Sequence, residues 1–384
     1  MKKAVMYGAG NIGRGFIGQL LSQSGYEVVF IDVNAQVVDK LNQDRCYPIK
    51  FATDEGNYEL TIENVRAVNG LDIESVAREI SEADVMATAV GVNVLPAVAA
   101  PIAKGLIERW RCNNMKPLNI IICENLMDAN HYLKALVKKE MKQDNYEHLD
   151  QLIGFVEASI GRMVPVMTTE MQEGNILRVC VETYDRLPVD KDGFKGQIPE
   201  IKNLVPFSPF KYYIHRKLFI HNMGHAMAAY LGYLSGYNYI WEAIEDPRIK
   251  EKCYCAMSES AHALSQEHGV EISEIMAHVN QLLERFGNRQ LGDTVERVGR
   301  DLQRKLAPND RLIGALNLCI KNGIEPVGIV TGIIAALQFK DSMASEVVTM
   351  LEQNEVEKIL LNLCSLSKGS MAYDKIVEGF KSTI

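Results

Sequence analysis

Lys217, Asn222 and His225 lie inside one helical pattern, residues 210–234, that contains no proline. At about 100° per residue they fall at roughly 0°, 140° and 80° around the axis, so their side chains can share one side of a helix. A lysine, an asparagine and a histidine gathered this way can remove a proton, hold an alkoxide and relay charge. Oxidation of an alcohol without a metal needs such a set. Lysine acts as the base when desolvation brings its pKa toward neutral. The other two orient and stabilise the oxygen as hydride leaves the carbon. Lys217 is the expected base, with Asn222 and His225 beside it.

Hydride needs an acceptor, and the N-terminus carries the pattern for holding one. Residues 3–7 form a short apolar strand that runs into Gly8-Ala9-Gly10-Asn11-Ile12-Gly13. A helix is predicted over 16–24, and a second apolar strand, 28–31, ends in Asp32. This is a βαβ unit with G-x-G-x-x-G at its first turn. The glycines let backbone approach a pyrophosphate, which then rests on the helix N-terminus. Asp32 would accept bonds from ribose hydroxyls and repel a 2′-phosphate, so NAD is favoured over NADP. A further strand, 84–89, closes with Thr88-Ala89-Val90-Gly91, a small-residue turn suited to backbone passing the nicotinamide half. The strand 119–123 ends in Glu124-Asn125, where such a sheet presents its site. Asn125 carries the greater weight, toward both cofactor and substrate.

The rest of the chain must position these groups. Residues 46–69 alternate as strands, with Asp54-Glu55-Gly56-Asn57 as a hairpin turn. A helix is predicted near 73–81 and another from Pro96 to about Trp110, and strands over 152–158 and 176–183. Asp190-Lys191-Asp192-Gly193 is a polar turn. Pro199, Pro206 and Pro209 punctuate the next stretch of chain, which places a domain boundary near residue 200. Beyond it nearly everything has helical period: 210–234, 240–245, 247–268, 272–286, 292–305, 309–321, 326–339, 343–352, 354–364 and 370–381. The fold class is therefore α/β: a Rossmann-type dinucleotide-binding domain over 1–200, then an all-helical substrate and catalytic domain over 201–384.

Composition narrows the function classes. The 384 residues are 47% hydrophobic, enough for two domains with cores. A net charge of −8 argues against broad attraction to nucleic acid or anionic lipid. No signal peptide precedes the first strand, and the longest apolar run, 327–339, is too short to span a bilayer. Eight scattered cysteines without a C-x-x-C pair read as reduced thiols of a cytoplasmic protein. His221 and His225 have i, i+4 spacing, but no Glu or Cys ligand stands near, so no metal is expected. The expected partner is a small-molecule substrate, with neither nucleic acid nor membrane, and the chain is expected to be a monomer or weak homo-oligomer. Tyr213 and Lys217 read as Y-x-x-x-K, the spacing of short-chain dehydrogenases. There the pair lies within the Rossmann domain and the turn reads G-x-x-x-G-x-G; neither holds here.

The segment 296–311 holds Arg297, Arg300, Arg304, Lys305 and Arg311. Arg297, Arg300 and Arg304 follow i, i+3, i+7 and would line one helical face. Arginine forks match phosphate geometry. The competing reading is a solvated basic face paired with Asp293, Glu296 and Asp301.

The run from Gly8 to Gly18, with K-x-x-x-x-N-x-x-H at Lys217, Asn222 and His225, resembles the polyol-specific long-chain dehydrogenase family across nearly the whole chain. Asp32-Val33-Asn34, Thr88 to Gly91, Asn119 to Asn125, and Glu296 to Arg300 with Arg304-Lys305-Leu306 are closer to its hexitol-phosphate members. The resemblance implies metal-independent, NAD-linked interconversion of mannitol 1-phosphate and fructose 6-phosphate. It makes Asn34 part of the cofactor site. It also implies substrate contacts from Arg297 and Lys305, an arginine and a lysine eight residues apart. One departure is Gly161, where the family often has an aspartate before the arginine; Glu157 could supply the missing polar contact. The alternatives are a dehydrogenase of an unphosphorylated polyol or of a hexuronate, to which the arginines suit a carboxylate, and a non-catalytic nicotinamide sensor. A sensor needs no proton acceptor, which argues against it.

Overall fold

The computed structural model describes residues 1–51, 56, 58–165 and 167–382. Of the expected turn at 54–57, all but Gly56 lies outside the described residues. The chain divides into two compact units, Met1–Lys211 and Tyr212–Ile384.

In the first unit the strands run in the order β1 (Lys2–Tyr7), β2 (Tyr26–Asp32), β3 (Cys46–Phe51), β4 (Tyr58–Glu63), β5 (Val65–Asn69), β6 (Val85–Thr88), β7 (Leu118–Ile122), β8 (Ile153–Glu157), β9 (Val179–Val181), β10 (Leu187–Asp190) and β11 (Leu204–Phe207). Six make a sheet in the order β5-β2-β1-β6-β7-β8, parallel throughout. The order reverses between β1 and β6, so the turns after these two strands face each other across the switch point. Alternate residues enter opposite cores: Ala4 and Met6 on one face, Val5 and Tyr7 on the other. Both faces are covered, which is why β1, β7 and β8 read as apolar runs and not as alternating strands.

A smaller sheet, β4-β3-β9, sits on the first core, with β3 and β4 antiparallel in the register Cys46↔Glu63 to Phe51↔Tyr58. The strand expected over 176–183 shrinks to β9. β10 and β11 form a parallel pair, which holds residues beyond 200 in the first unit.

The second unit is helical. Its longest helix, Pro247–His268, keeps the bounds that its terminal residues dictate. Asp246 caps it by accepting from Arg248 N at 2.9 Å, Pro247 takes the first turn, and Gly269 ends it at φ +66. It packs against Met223–Leu234, Ile272–Phe286 and Val327–Ala336. Gly328 allows the close approach of the last, since a Cβ there would meet the Ala256 backbone at 2.7 Å. Among the described residues no helix is long and apolar enough to cross a membrane.

Candidate active site

The glycine turn is built by exclusion. Gly8 has φ +101, and a Cβ on it would run into the carbonyl of Ala89 in the facing turn. A Cβ on Gly13 would overlap the Gly8 carbonyl, whereas one on Gly10 would meet nothing. The turn is thus closed on its inner side and open at Gly10. The expected helix 16–24 begins as a wide π turn, Gly13–Gly18, before Gln19–Gln23. Such a turn frees carbonyls from i→i−4 bonding, and buried side chains take them up. Tyr47 Oη donates to Arg14 O at 2.8 Å. Arg162 Nη1 donates to Gly15 O at 2.8 Å and to Gln19 Oε1 at 2.7 Å. Arg162 therefore braces the glycine turn from behind, stacked over Phe16. Beside it, a Cβ on Gly161 would press to 3.1 Å from the Tyr184 ring.

Asp32 closes the front of the turn. One carboxylate oxygen accepts from Ala9 N at 2.7 Å and the other from Asn34 N at 2.9 Å. Asn34 is the N-cap of helix Ala35–Asp44, accepting from Val37 N at 3.3 Å. Asn11 Nδ2 donates to Pro165 O at 3.3 Å, and Ile12 packs on the core. Across the switch point stands Glu124. It is buried, and its two oxygens accept from Val90 N and Gly91 N, each at 2.9 Å. A carboxylate thus fixes the turn after β6, with Gly91 at φ +92. Thr88 is buried and its hydroxyl has no partner among the described residues. Asn125 is exposed. A cleft of about 490 Å³ opens here, lined by Gly8, Gly10, Asp32 and Val90. Its rim carries the exposed side chains of Val33, Leu71 and Ile73. Glu157, at the end of β8, accepts weakly from Ala129 N. Burial, with Asp128 and Asp190 nearby, pushes it up to about 7.

In the helical unit the expected single helix 210–234 is interrupted. Lys211–Arg216 passes into a π turn, Lys217–Asn222, and then into Met223–Leu234. Bonding from i to i+5 sets Asn222 about one turn above Lys217, nearer than the roughly 140° offset of an α-helix. Phe219, Ile220, His221, Met223 and Gly224 are buried, while Lys217, Asn222 and His225 are only half-buried. Each of the three thus keeps part of its side chain open to solvent. His221 points inward against Phe286, and burial, reinforced by Arg285 and other nearby cations, holds it well below the ordinary imidazole value. No three metal-ligating side chains gather among the described residues.

His225 has a partner that spacing does not reveal. Its Nε2 lies 3.3 Å from Asp293 Oδ2, and its ring stacks on Phe286 at 4.9 Å and 13°. The Asp293 backbone is held by Ile240 N, which donates to its carbonyl at 2.9 Å. Burial pushes this carboxylate up, but His225 and Arg297 outweigh it and leave it below the ordinary value. In sequence Asp293 reads only as a counter-ion for the basic segment.

That segment is not one helical face. The expected helix 292–305 breaks into Val295–Gly299 and Leu302–Lys305. Asp301 between them adopts a left-handed backbone, φ +71, which no α-helix passes through. Arg297, Arg300 and Arg304 are therefore on three separate pieces of chain. Arg297 pairs with Asp293, and Arg304 with Asp301 at 2.6 Å. Lys305 is buried, its Nζ donating to the carbonyls of Val298 and Arg300. Burial, with Arg311 and Arg304 nearby, brings it down to about 7. Arg300 is exposed.

Residues 2–203 match the mannitol dehydrogenase Rossmann domain, and residues 210–363 match the mannitol dehydrogenase C-terminal domain. The chain belongs to the mannitol dehydrogenase family. It is a polyol dehydrogenase of that family. A D-sorbitol dehydrogenase in substrate-free form has the same fold, with a TM-score of 0.82 at 14% identity, covering 99% of this chain and 93% of that one. The Pseudomonas fluorescens mannitol 2-dehydrogenase, solved as a ternary complex with NAD and D-mannitol, gives 0.73 at 13%, covering 99% and 90%.

Proposed function

We propose that this polyol dehydrogenase interconverts D-mannitol 1-phosphate and D-fructose 6-phosphate with NAD. The supporting observation is the join between the basic segment and the candidate catalytic helix. Asp293 bonds both His225 and Arg297, and Tyr230 Oη donates to Gly299 O at 3.1 Å. The arginines are thus anchored to the helix that carries Asn222 and His225, where an anionic end of the substrate would be met.

The first unit fits a dinucleotide. Gly10 leaves open space where backbone must approach a pyrophosphate. Asp32 would take the adenosine ribose and disfavour a 2′-phosphate, and the apolar rim of Val33, Leu71 and Ile73 suits an adenine ring. The turn braced by Glu124 would receive the nicotinamide half. When bound, NAD supplies the hydride acceptor. Lys217 takes the hydroxyl proton onto Nζ as the carbinol carbon is oxidised. Asn222 donates to the developing alkoxide, and His225, oriented by Asp293, stabilises the same oxygen.

A second reading, an unphosphorylated polyol as substrate, is favoured by the carboxylates already paired with Arg297 and Arg304. NADH oxidation with fructose 6-phosphate and with fructose, side by side, decides between them. The proposal expects strong turnover on the phosphate alone. Equal or better turnover on fructose would overturn it.

A further inference from the structure

Most of the cations in the basic segment are already committed. Arg297 is held by Asp293, and Arg304 by Asp301 and Asp310. Arg311 is held by Asp310 at 2.7 Å, and Lys305 is turned inward onto two carbonyls. A guanidinium neutralised by a carboxylate must give up that partner, or share it, before it binds a dianion. Arg300 is different. Among the described residues no carboxylate pairs with it, and it is exposed.

Its presentation is built into the break. Arg300 ends the helix Val295–Gly299 in an extended conformation, φ −57 and ψ 164. The left-handed Asp301 turns the chain immediately afterwards. Lys305 grips the Arg300 carbonyl from the interior, and Asp341 Oδ2 accepts from Leu302 N at 2.8 Å on the far side. The backbone is fixed on both sides while the side chain stays outside.

The chain around Arg300 is also tied to the candidate catalytic helix. Asp293 and Arg297 meet the helix Met223–Leu234 at His225, and Gly299 meets it at Tyr230. Arg300 follows Gly299 directly and stands three residues beyond Arg297, which Asp293 joins to His225.

From this geometry we infer that Arg300 is the residue that recognises the substrate's phosphate. The inference rests on the proposed phosphorylated substrate. The full-length enzyme and the variants Arg300→Met and Arg300→Lys would be compared for KM and kcat with fructose 6-phosphate, for inhibition by inorganic phosphate, and for NADH affinity by fluorescence. R300M is expected to raise KM about ten- to a hundredfold, the loss of one charge-assisted contact, with a much smaller change in kcat. It is expected to weaken phosphate inhibition in parallel and to leave NADH affinity unmoved. R300K should recover part of the KM. An unchanged KM in R300M, with the wild type still preferring the phosphorylated ketose, would overturn this assignment and leave the proposed reaction standing. A wild type without that preference would overturn both. A fall in NADH affinity in both variants would show a merely structural residue.

Discussion

His225 and Asp293 form a pair in which a buried carboxylate holds a half-buried imidazole by one nitrogen. Nε2 lies 3.3 Å from Oδ2, and Phe286 fixes the ring plane. Asp293 in turn is fixed by Arg297 and by the Ile240 amide. A carboxylate on Nε2 favours a proton on that nitrogen and orients the ring. Asp293→Asn keeps the shape and removes the charge. It is expected to lower kcat roughly ten- to a hundredfold with NADH affinity unchanged, as measured by steady-state kinetics and fluorescence titration. Full activity in D293N would separate His225 from the chemistry.

Asp32 binds two backbone amides in the protein itself, Ala9 N and Asn34 N. Its substitution therefore has two consequences with different signatures. Loss of the charge should lower the preference for NADH over NADPH, by about tenfold or more in the ratio of kcat/KM values. Loss of the acceptor should loosen the glycine turn and weaken both cofactors. Asp32→Ser, which keeps an acceptor, should show the first effect with less of the second than Asp32→Ala. An unchanged ratio in both variants would remove Asp32 from cofactor choice.

Glu157 predicts a pH signature in stability. Burial, followed by Asp128 and Asp190, raises its pKa from the ordinary 4.5 to about 7 in the folded protein. Between those values the native state holds the proton that the unfolded chain has lost. Stability from this group is therefore full below about pH 4.5 and falls as pH rises to about 7, by about 3 kcal/mol at most. Glu157→Gln should show little change in melting temperature at pH 5 and a relative gain at pH 8. A difference that stays constant across this range would contradict the burial argument.

Much of this architecture is legible in the chain because the signals are local. Pro247 at a helix start and Gly269 at its end bound Pro247–His268 to the residue. The G-x-G-x-x-G turn, its flanking strands and Asp32 are contiguous, so the Rossmann switch point can be read directly. The features that are not legible depend on groups distant in sequence. The π turn at Gly13–Gly18 survives because Tyr47 and Arg162 satisfy its carbonyls. Glu124 reads as half of a strand end, and its grip on Val90 and Gly91 exists only in the folded sheet. Asp293 reaches His225 only through tertiary packing. The left-handed Asp301 divides a segment whose spacing alone reads as one helix.

Lys217 carries the central claim, that a metal-independent proton transfer occurs on the π turn Lys217–Asn222 while the cofactor is held in the other unit. The most direct test is single-turnover NADH oxidation by Lys217→Ala with fructose 6-phosphate, alongside NADH titration of the same variant. The account predicts a fall in the hydride-transfer rate of about a hundredfold or more, with NADH affinity within error of the wild type. Retained turnover, or loss of NADH binding equal to the loss of rate, would contradict it.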